Sequence, residues 1–263
     1  MKICRFTDES SRLSSYGLIE GEVVRKVPFN QVWSEVFQNN WPHAAEEFAL
    51  ADVRLFAPAT PSKIVCVGRN YKEHAAELGN PMPTEPLLFL KAPSSIIGPD
   101  ETIELPPESK QVEHEGELGV VIGHRARKLD SGNDPLRYVL GYTCLNDVTA
   151  RDLQRRDVQF TRGKSFDTFC PVGPWIETDI SPLDLEVVTR VNNEVKQQGR
   201  TSQMAFTVPM LIRYISHIMT LNPGDLIATG TPAGVSRLVN GDLVEVEVEG
   251  IGTLRNKVKE PGV

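Results

Sequence analysis

The chain lacks the features that mark several function classes. Its 28 Lys+Arg are outnumbered by 35 Asp+Glu, for a formal net charge of −7. No basic block interrupts that balance, which argues against a general nucleic-acid binder held by phosphate contacts. The richest basic run, His124-Arg125-Ala126-Arg127-Lys128, is short and reads as a solvated turn after a strand. No stretch approaches the roughly 20 apolar residues of a membrane span. The first eight residues, Met1 to Asp8, lack the apolar centre of a signal peptide. Cysteine is scarce as well: Cys4, Cys66, Cys144 and Cys170 form no C-x-x-C pair, so neither a zinc knuckle nor a disulfide framework is indicated. Buried free thiols in a cytoplasmic protein are the expectation. There is no internal repeat and no low-complexity tract.

What is present describes an ordinary globular chain. Its 263 residues, 40% hydrophobic and 24% charged, can bury a sizeable core and stand near the upper limit for one domain. Residues 1–58 read as a small N-terminal segment containing β structure: Tyr16 to Val24 suggests strand, Glu-Gly turn, strand, and an acidic stretch from Gln31 to Asp52 has partial helical spacing. Pro58 and Pro61 punctuate the chain there.

From residue 62 to 258, short strands alternate with short helices. Lys63–Gly68, Leu87–Leu90, Val112–Ile122, Tyr138–Leu145, Asp225–Ala228 and Leu243–Val248 read as strands. Glu186 to Val195 has hairpin character, with its turn at Asn192-Asn193. Helices are expected over Arg69–Leu78, Thr149–Asp157 and Val208–Met219. Strands outnumber helices, and few are joined by helices long enough for a doubly wound sheet. The expectation is an α+β fold dominated by a rolled, mixed but largely antiparallel sheet.

Five clusters carry possible chemistry. In Val112-Glu113-His114-Glu115-Gly116-Glu117-Leu118 the strand period puts Glu115 and Glu117 on one face, about 7 Å apart, where they repel unless a cation lies between them. An exposed edge bearing Glu113, Glu115 and Glu117 is the equally admissible reading. H-E-x-x-H is absent, which excludes a zincin. Asp147 stands where an apolar strand stops and a helix begins, and Arg151 and Gln154 fall on the same helical face. Taken alone, Asp147 reads more readily as a plain helix N-cap than as a carboxylate aimed into a cleft. His74 and Glu77, at i and i+3, can touch, and a carboxylate beside an imidazole suits a general base, although a lone pair of this kind is more often a surface pair. Lys164 and the loop Thr229-Gly230-Thr231-Pro232 complete the set; the loop exposes backbone N–H groups but lacks the ending of a phosphate loop.

Together these motifs resemble the fumarylacetoacetate hydrolase family. The resemblance rests on Gly68-Arg69-Asn70-Tyr71-x-x-His74-x-x-Glu77, His114-Glu115-x-Glu117-Leu118, Asn146-Asp147-x-Thr149-Ala150-Arg151-Asp152, Lys164-Ser165-Phe166-Asp167 and Thr229-Gly230-Thr231-Pro232, in that order. It implies a β-roll catalytic domain over about 62–258 and a homodimer. It implies a divalent metal, Mg²⁺ with Mn²⁺ or Ca²⁺ as alternatives, on Glu115, Glu117 and Asp147. Lys164, His74 and Glu77 take catalytic roles by the same resemblance; Arg69, Arg151, Gln154 and Thr231 hold substrate. A metal-stabilised enolate of a 2-oxo acid then serves hydrolysis of acylpyruvates or decarboxylation and tautomerisation of oxaloacetate. A 2-hydroxyhepta-2,4-diene-1,7-dioate isomerase is the alternative reaction, and a non-catalytic metal and dicarboxylate binder is the alternative of another class.

Overall fold

The computed structural model describes residues 1–7, 13–27 and 46–260. The first strands form a meander: β1 (Lys2–Thr7), β2 (Ser15–Glu20), β3 (Val23–Val27) and β4 (Glu47–Ala49) pair in sequence, and β5 (Arg54–Phe56) returns onto β1. Residues 31–45 of the stretch expected to be partly helical lie outside the described residues. Its end is the strand β4 and a short 3-10 turn, Leu50–Asp52. Next come β6 (Ile64–Gly68), helix α1 (Lys72–Glu77) and, after a proline-rich loop, β7 (Leu87–Lys91), antiparallel to β6. Helix α1 is shorter than the spacing predicts. Arg69 takes a left-handed conformation (φ 56°), and the buried Asn70 bonds the Phe206 and Thr229 carbonyls, so the chain turns before it coils.

Two short strands, β8 (Ile96–Ile97) and β9 (Thr102–Glu104), lead to the acidic region. The single strand expected over Val112–Ile122 is two: β10 (Val112–Glu113) and β11 (Gly116–Ile122), broken at His114-Glu115. Antiparallel β12 (Val139–Asn146) follows, then β13 (Thr149–Ala150), which pairs with β10. Helix α2 (Arg151–Asp157) therefore starts at Arg151 and not at Thr149. Its N-cap is Ala150, so Asp147 neither caps the helix nor belongs to its face. Then come α3 (Thr161–Lys164), β14 (Cys170–Glu177) and the hairpin of β15 (Glu186–Val191) and β16 (Glu194–Arg200). Asn192 and Asn193 both have positive φ at its turn, as a two-residue hairpin requires. Helix α4 (Val208–Ile218), β17 (Leu226–Ala228), β18 (Leu243–Val248) and β19 (Gly252–Lys259) complete the chain.

The strands assemble into a large sheet ordered β4-β3-β2-β1-β14-β12-β11-β17-β6-β7 and a smaller one ordered β16-β15-β18-β19-β9. Most pairs are antiparallel; β17 with β6, β19 with β9 and β14 with β8 are parallel. The fold is thus the mixed α+β, mostly strand architecture expected. The N-terminal strands extend the large sheet, because β1 pairs with β14.

In β11, Leu118, Val120 and Ile122 enter a core shared with Val187, Val246, Leu211 and Ile215, while Val121 enters a second core with Ile64, Leu145 and Leu226 on the opposite face. Both faces are covered, which is why the strand reads as a continuous apolar run. Gly116 lets the two sheets approach: a Cβ there would lie 2.0 Å from Thr189 Oγ1. No described helix is long and apolar enough to cross a membrane.

Candidate active site

The break between β10 and β11 and the end of β12 are fastened together by backbone. Asp147 N donates to the Glu115 carbonyl (2.8 Å), and Glu115 N donates to Asn146 Oδ1 (2.9 Å). With Gly116 opposite Asn146 in register, Glu115, Glu117 and Asp147 converge. One carboxylate oxygen of each lies within 4.8 Å of the others, and all three residues are buried. The reading of this acidic stretch as an exposed edge is therefore wrong, since Glu113 is buried too. Unit charges at such spacing repel by on the order of 3 kcal/mol at the effective dielectric of a protein site. The cluster holds together only because cations share it.

Lys164 Nζ donates to Glu115 Oε2 (2.7 Å) and Asp147 Oδ2 (2.6 Å). Burial would lower its pKa, but Asp147 and Glu115 outweigh that and keep the ammonium charged. Arg151 donates from Nε to Glu113 Oε2 (2.8 Å), from Nη2 to Glu115 Oε1 and from Nη1 to Gln154 Oε1 (2.7 Å). Burial pushes the Glu115 carboxyl up, yet Lys164 and Arg151 together hold it well below the usual carboxylate range.

Glu117 is the exception. Its Oε2 accepts from Gly230 N (2.8 Å), and among the described residues it has no ion pair. Burial first, then repulsion from Asp147 and Glu115, raises its pKa well above the ordinary value. A buried carboxylate beside two others with no cation of its own fits a divalent metal, and an all-oxygen donor set fits a hard one.

These groups open on a cavity of about 470 Å³ whose lining includes Arg69, His74, Gln154 and Thr231 as well as the three carboxylates, Arg151 and Lys164. His74 is buried, with Nδ1 3.2 Å from Glu77 Oε2; Glu77 Oε1 accepts from Gly234 N (3.0 Å). Asp147, Arg151 and Gln154 meet at this cavity, though not through a common helical face. Glu77 stands behind His74 and is not part of the cavity wall.

Thr231 lines the cavity with its hydroxyl already engaged: Oγ1 donates to the Gly116 carbonyl (2.8 Å) and accepts from Gln197 Nε2 (2.7 Å). Any group meeting that oxygen from the cavity must therefore be a donor, or must displace one of these bonds. The four cysteines are buried and free, and burial pushes Cys4, Cys144 and Cys170 up to about 12, so none is poised as a nucleophile.

Sequence reasoning missed three residues here. Lys91 is fully buried, with Nζ 2.7 Å from Asp147 Oδ1; its signal was a single Lys closing the apolar run Leu87–Leu90. Glu113 anchors Arg151, a role that strand alternation does not reveal. Gln197 ties Thr231 and Pro232 to Gly116 and His114 through both ends of its amide, and no local pattern marks it.

Residues 63–259 match the family described as "Fumarylacetoacetate (FAA) hydrolase C-terminal", and residues 1–58 match one described as "Rv2993c-like, N-terminal". Protein Rv2993c of Mycobacterium tuberculosis is 50% identical over 226 residues, 85% of this chain and 82% of that protein. The mitochondrial oxaloacetate tautomerase FAHD2A of Bos taurus is 45% identical over 221 residues, 79% of this chain and 70% of that one. Among solved structures, 2-hydroxyhepta-2,4-diene-1,7-dioate isomerase from Mycobacterium marinum matches with a TM-score of 0.89 and 42% identity, covering 100% of both chains.

Proposed function

The chain belongs to the fumarylacetoacetate hydrolase family, and from that premise we propose that it is a Mg²⁺-dependent enzyme interconverting the keto and enol forms of an oxaloacetate-class 2-oxo dicarboxylic acid. The observation that carries this reading is the convergence of Glu115, Glu117, Asp147, Lys164 and His74 on one cavity. The name of the bovine relative supports tautomerisation over hydrolysis of acylpyruvates or decarboxylation.

A hard divalent ion held by Glu115, Glu117 and Asp147 would supply Lewis-acid stabilisation of the oxygen that gains charge when the 2-oxo group enolises. The chain's own residues do the rest. Arg151 is fixed by Glu113 and Glu115, which leaves its Nη1 side and Gln154 to hold the substrate's carboxylate. Lys164 brings a buried ammonium to the same end of the cavity. His74, oriented through Nδ1 by Glu77, has Nε2 left to take or return a proton at the carbon beside the oxo group. Arg69 lines the cavity and makes no ion pair among the described residues, so it is available to the second carboxylate. A homodimer is part of this reading, as the family resemblance implies.

A second reading is favoured by the M. marinum relative: isomerisation of a longer unsaturated dioate. The two are separated by an NMR time course with Mg²⁺, using oxaloacetate, acetylpyruvate and a 2-hydroxydienedioate in parallel. Accelerated keto–enol exchange of oxaloacetate without loss of CO₂ is expected. Acetate from acetylpyruvate would move the assignment to C–C hydrolysis, and pyruvate from oxaloacetate would move it to decarboxylation. Double-bond migration alone would select the isomerase. Silence on all three with Mg²⁺ bound would return the chain to the non-catalytic binder.

A further inference from the structure

Lys91 closes β7, opposite Ile64 in register. Its side chain is fully buried but forms no part of the cavity wall. The ammonium lies in the layer behind Asp147. Nζ is 2.7 Å from Asp147 Oδ1 and donates to the Val148 carbonyl at 3.1 Å. On the other side, Asp147 Oδ2 accepts from Lys164 Nζ. Asp147 is thus held between two ammonium groups, one facing the cavity and one hidden from it. Burying an ammonium is costly, and none of the steps above uses Lys91.

Its consequence is visible in the charge of the cluster. The carboxylates of Glu113, Glu115, Glu117 and Asp147 share the buried region with Arg151 and Lys164. With those two cations alone, a divalent ion would bring the cluster to neutrality. Lys91 is a third cation, so the same ion leaves the cluster positive by one charge. That extra charge strengthens the pull on an anionic substrate, adding to that of Arg69 on the cavity wall.

We propose that Lys91 is a positioning residue that holds Asp147 in place and keeps the metal-loaded site cationic, giving up some affinity for the divalent ion in exchange for affinity for the anionic substrate. This rests on the metal reading of the carboxylate triad. It predicts effects of opposite sign on the two ligands, which loss of a merely structural contact would not produce.

The test is calorimetric titration of the wild-type protein, Lys91→Met and Lys91→Arg, first with Mn²⁺ as the probe metal and then with oxalate at saturating Mn²⁺. Lys91→Met should bind Mn²⁺ at least as tightly as wild type, up to about tenfold more so, and bind oxalate about tenfold more weakly, the effect of one nearby charge. Lys91→Arg should bring oxalate affinity back towards wild type. Equal losses of both affinities, or no change in either, would overturn the proposal. If Lys91→Met does not fold, Lys91→Gln, which keeps an N–H for the Val148 carbonyl and carries no charge, takes the same titrations. Failure of the wild type to take up Mn²⁺ or Mg²⁺ would sink the metal reading and this inference with it. Metal uptake with oxalate affinity indifferent to the charge at position 91 would sink this inference alone.

Discussion

At Glu117 a buried carboxylate faces two others and, among the described residues, has a single backbone N–H for a partner. Replacing it with Gln removes a like charge and keeps the shape. In metal-free protein Glu117→Gln should therefore raise stability by about 1–3 kcal/mol, while the rise in melting temperature on adding Mg²⁺ disappears. A variant that keeps the full Mg²⁺ shift would show that the ion is held elsewhere. His74 makes the contrasting case, because it touches Glu77 and not the carboxylate triad. His74→Ala should keep the Mg²⁺ shift and lose about 10²–10⁴-fold in turnover; loss of the metal response instead would mean that the imidazole helps to build the metal site. Motif spacing made these residue types legible. It did not reveal which carboxylate lacks a cation, because that depends on Lys164 and Lys91 arriving from distant elements.

Among the elements, helix α2 has the most to do for its length. Two turns carry Arg151 and Gln154 into the cavity, and a helix so short does not stand alone in water. Asp152 ties its first turn to the preceding loop, accepting from Ser109 Oγ (2.6 Å) and Lys110 N (2.9 Å). Burial pushes its carboxyl up, but those hydrogen bonds more than offset the push and its pKa is lowered. A lowered folded pKa stabilises above the unfolded value, about 3.9 for Asp, and that stabilisation is lost as pH falls through the folded value. Asp152→Ala should thus cost about 1 kcal/mol at neutral pH, with the gap to wild type closing in acid denaturation. A gap that stays constant down to low pH would rule out the carboxylate as its source. Sequence periodicity located α2 but placed its start at Thr149. The pairing of Thr149-Ala150 with β10 is a long-range contact, and it overrides local helical preference.

Across the whole molecule, the site depends on two sheets meeting closely beside it. Gly116 stands where a Cβ would run into Thr189 Oγ1 of the smaller sheet. Gly116→Ala should destabilise by about 1–3 kcal/mol through overpacking and weaken Mg²⁺ binding in step, since the flanking residues are Glu115 and Glu117. Normal melting with normal Mg²⁺ affinity would mean that the sheets yield at no cost. The N-terminal strands also belong to this scale: Ile3, Cys4, Phe6 and Tyr16 are buried, and β1 pairs with β14. Deleting residues 1–58 should expose that apolar surface and an unpaired strand edge, seen as a lower melting temperature or loss to aggregation. A truncated chain that melts like the full one would show that the large sheet does not need them.

The amino-acid sequence alone determined whatever depends on near neighbours along the chain. The hairpin turn at Asn192-Asn193 follows from residues that tolerate positive φ, and the continuous apolar run of β11 from a strand covered on both faces. The His74–Glu77 contact follows from helical spacing, and the candidate ligands were legible from motif order. Tertiary structure alone decided the burial of Glu113, the break at His114-Glu115, the engagement of Thr231 by Gln197 and Gly116, and the placing of Lys91 behind Asp147. Each of these joins residues far apart in sequence, and periodicity carries no information about which distant side chain will meet a given carboxylate. That partnership arises when strands pair and sheets pack, and in this protein it sets the charge of the site.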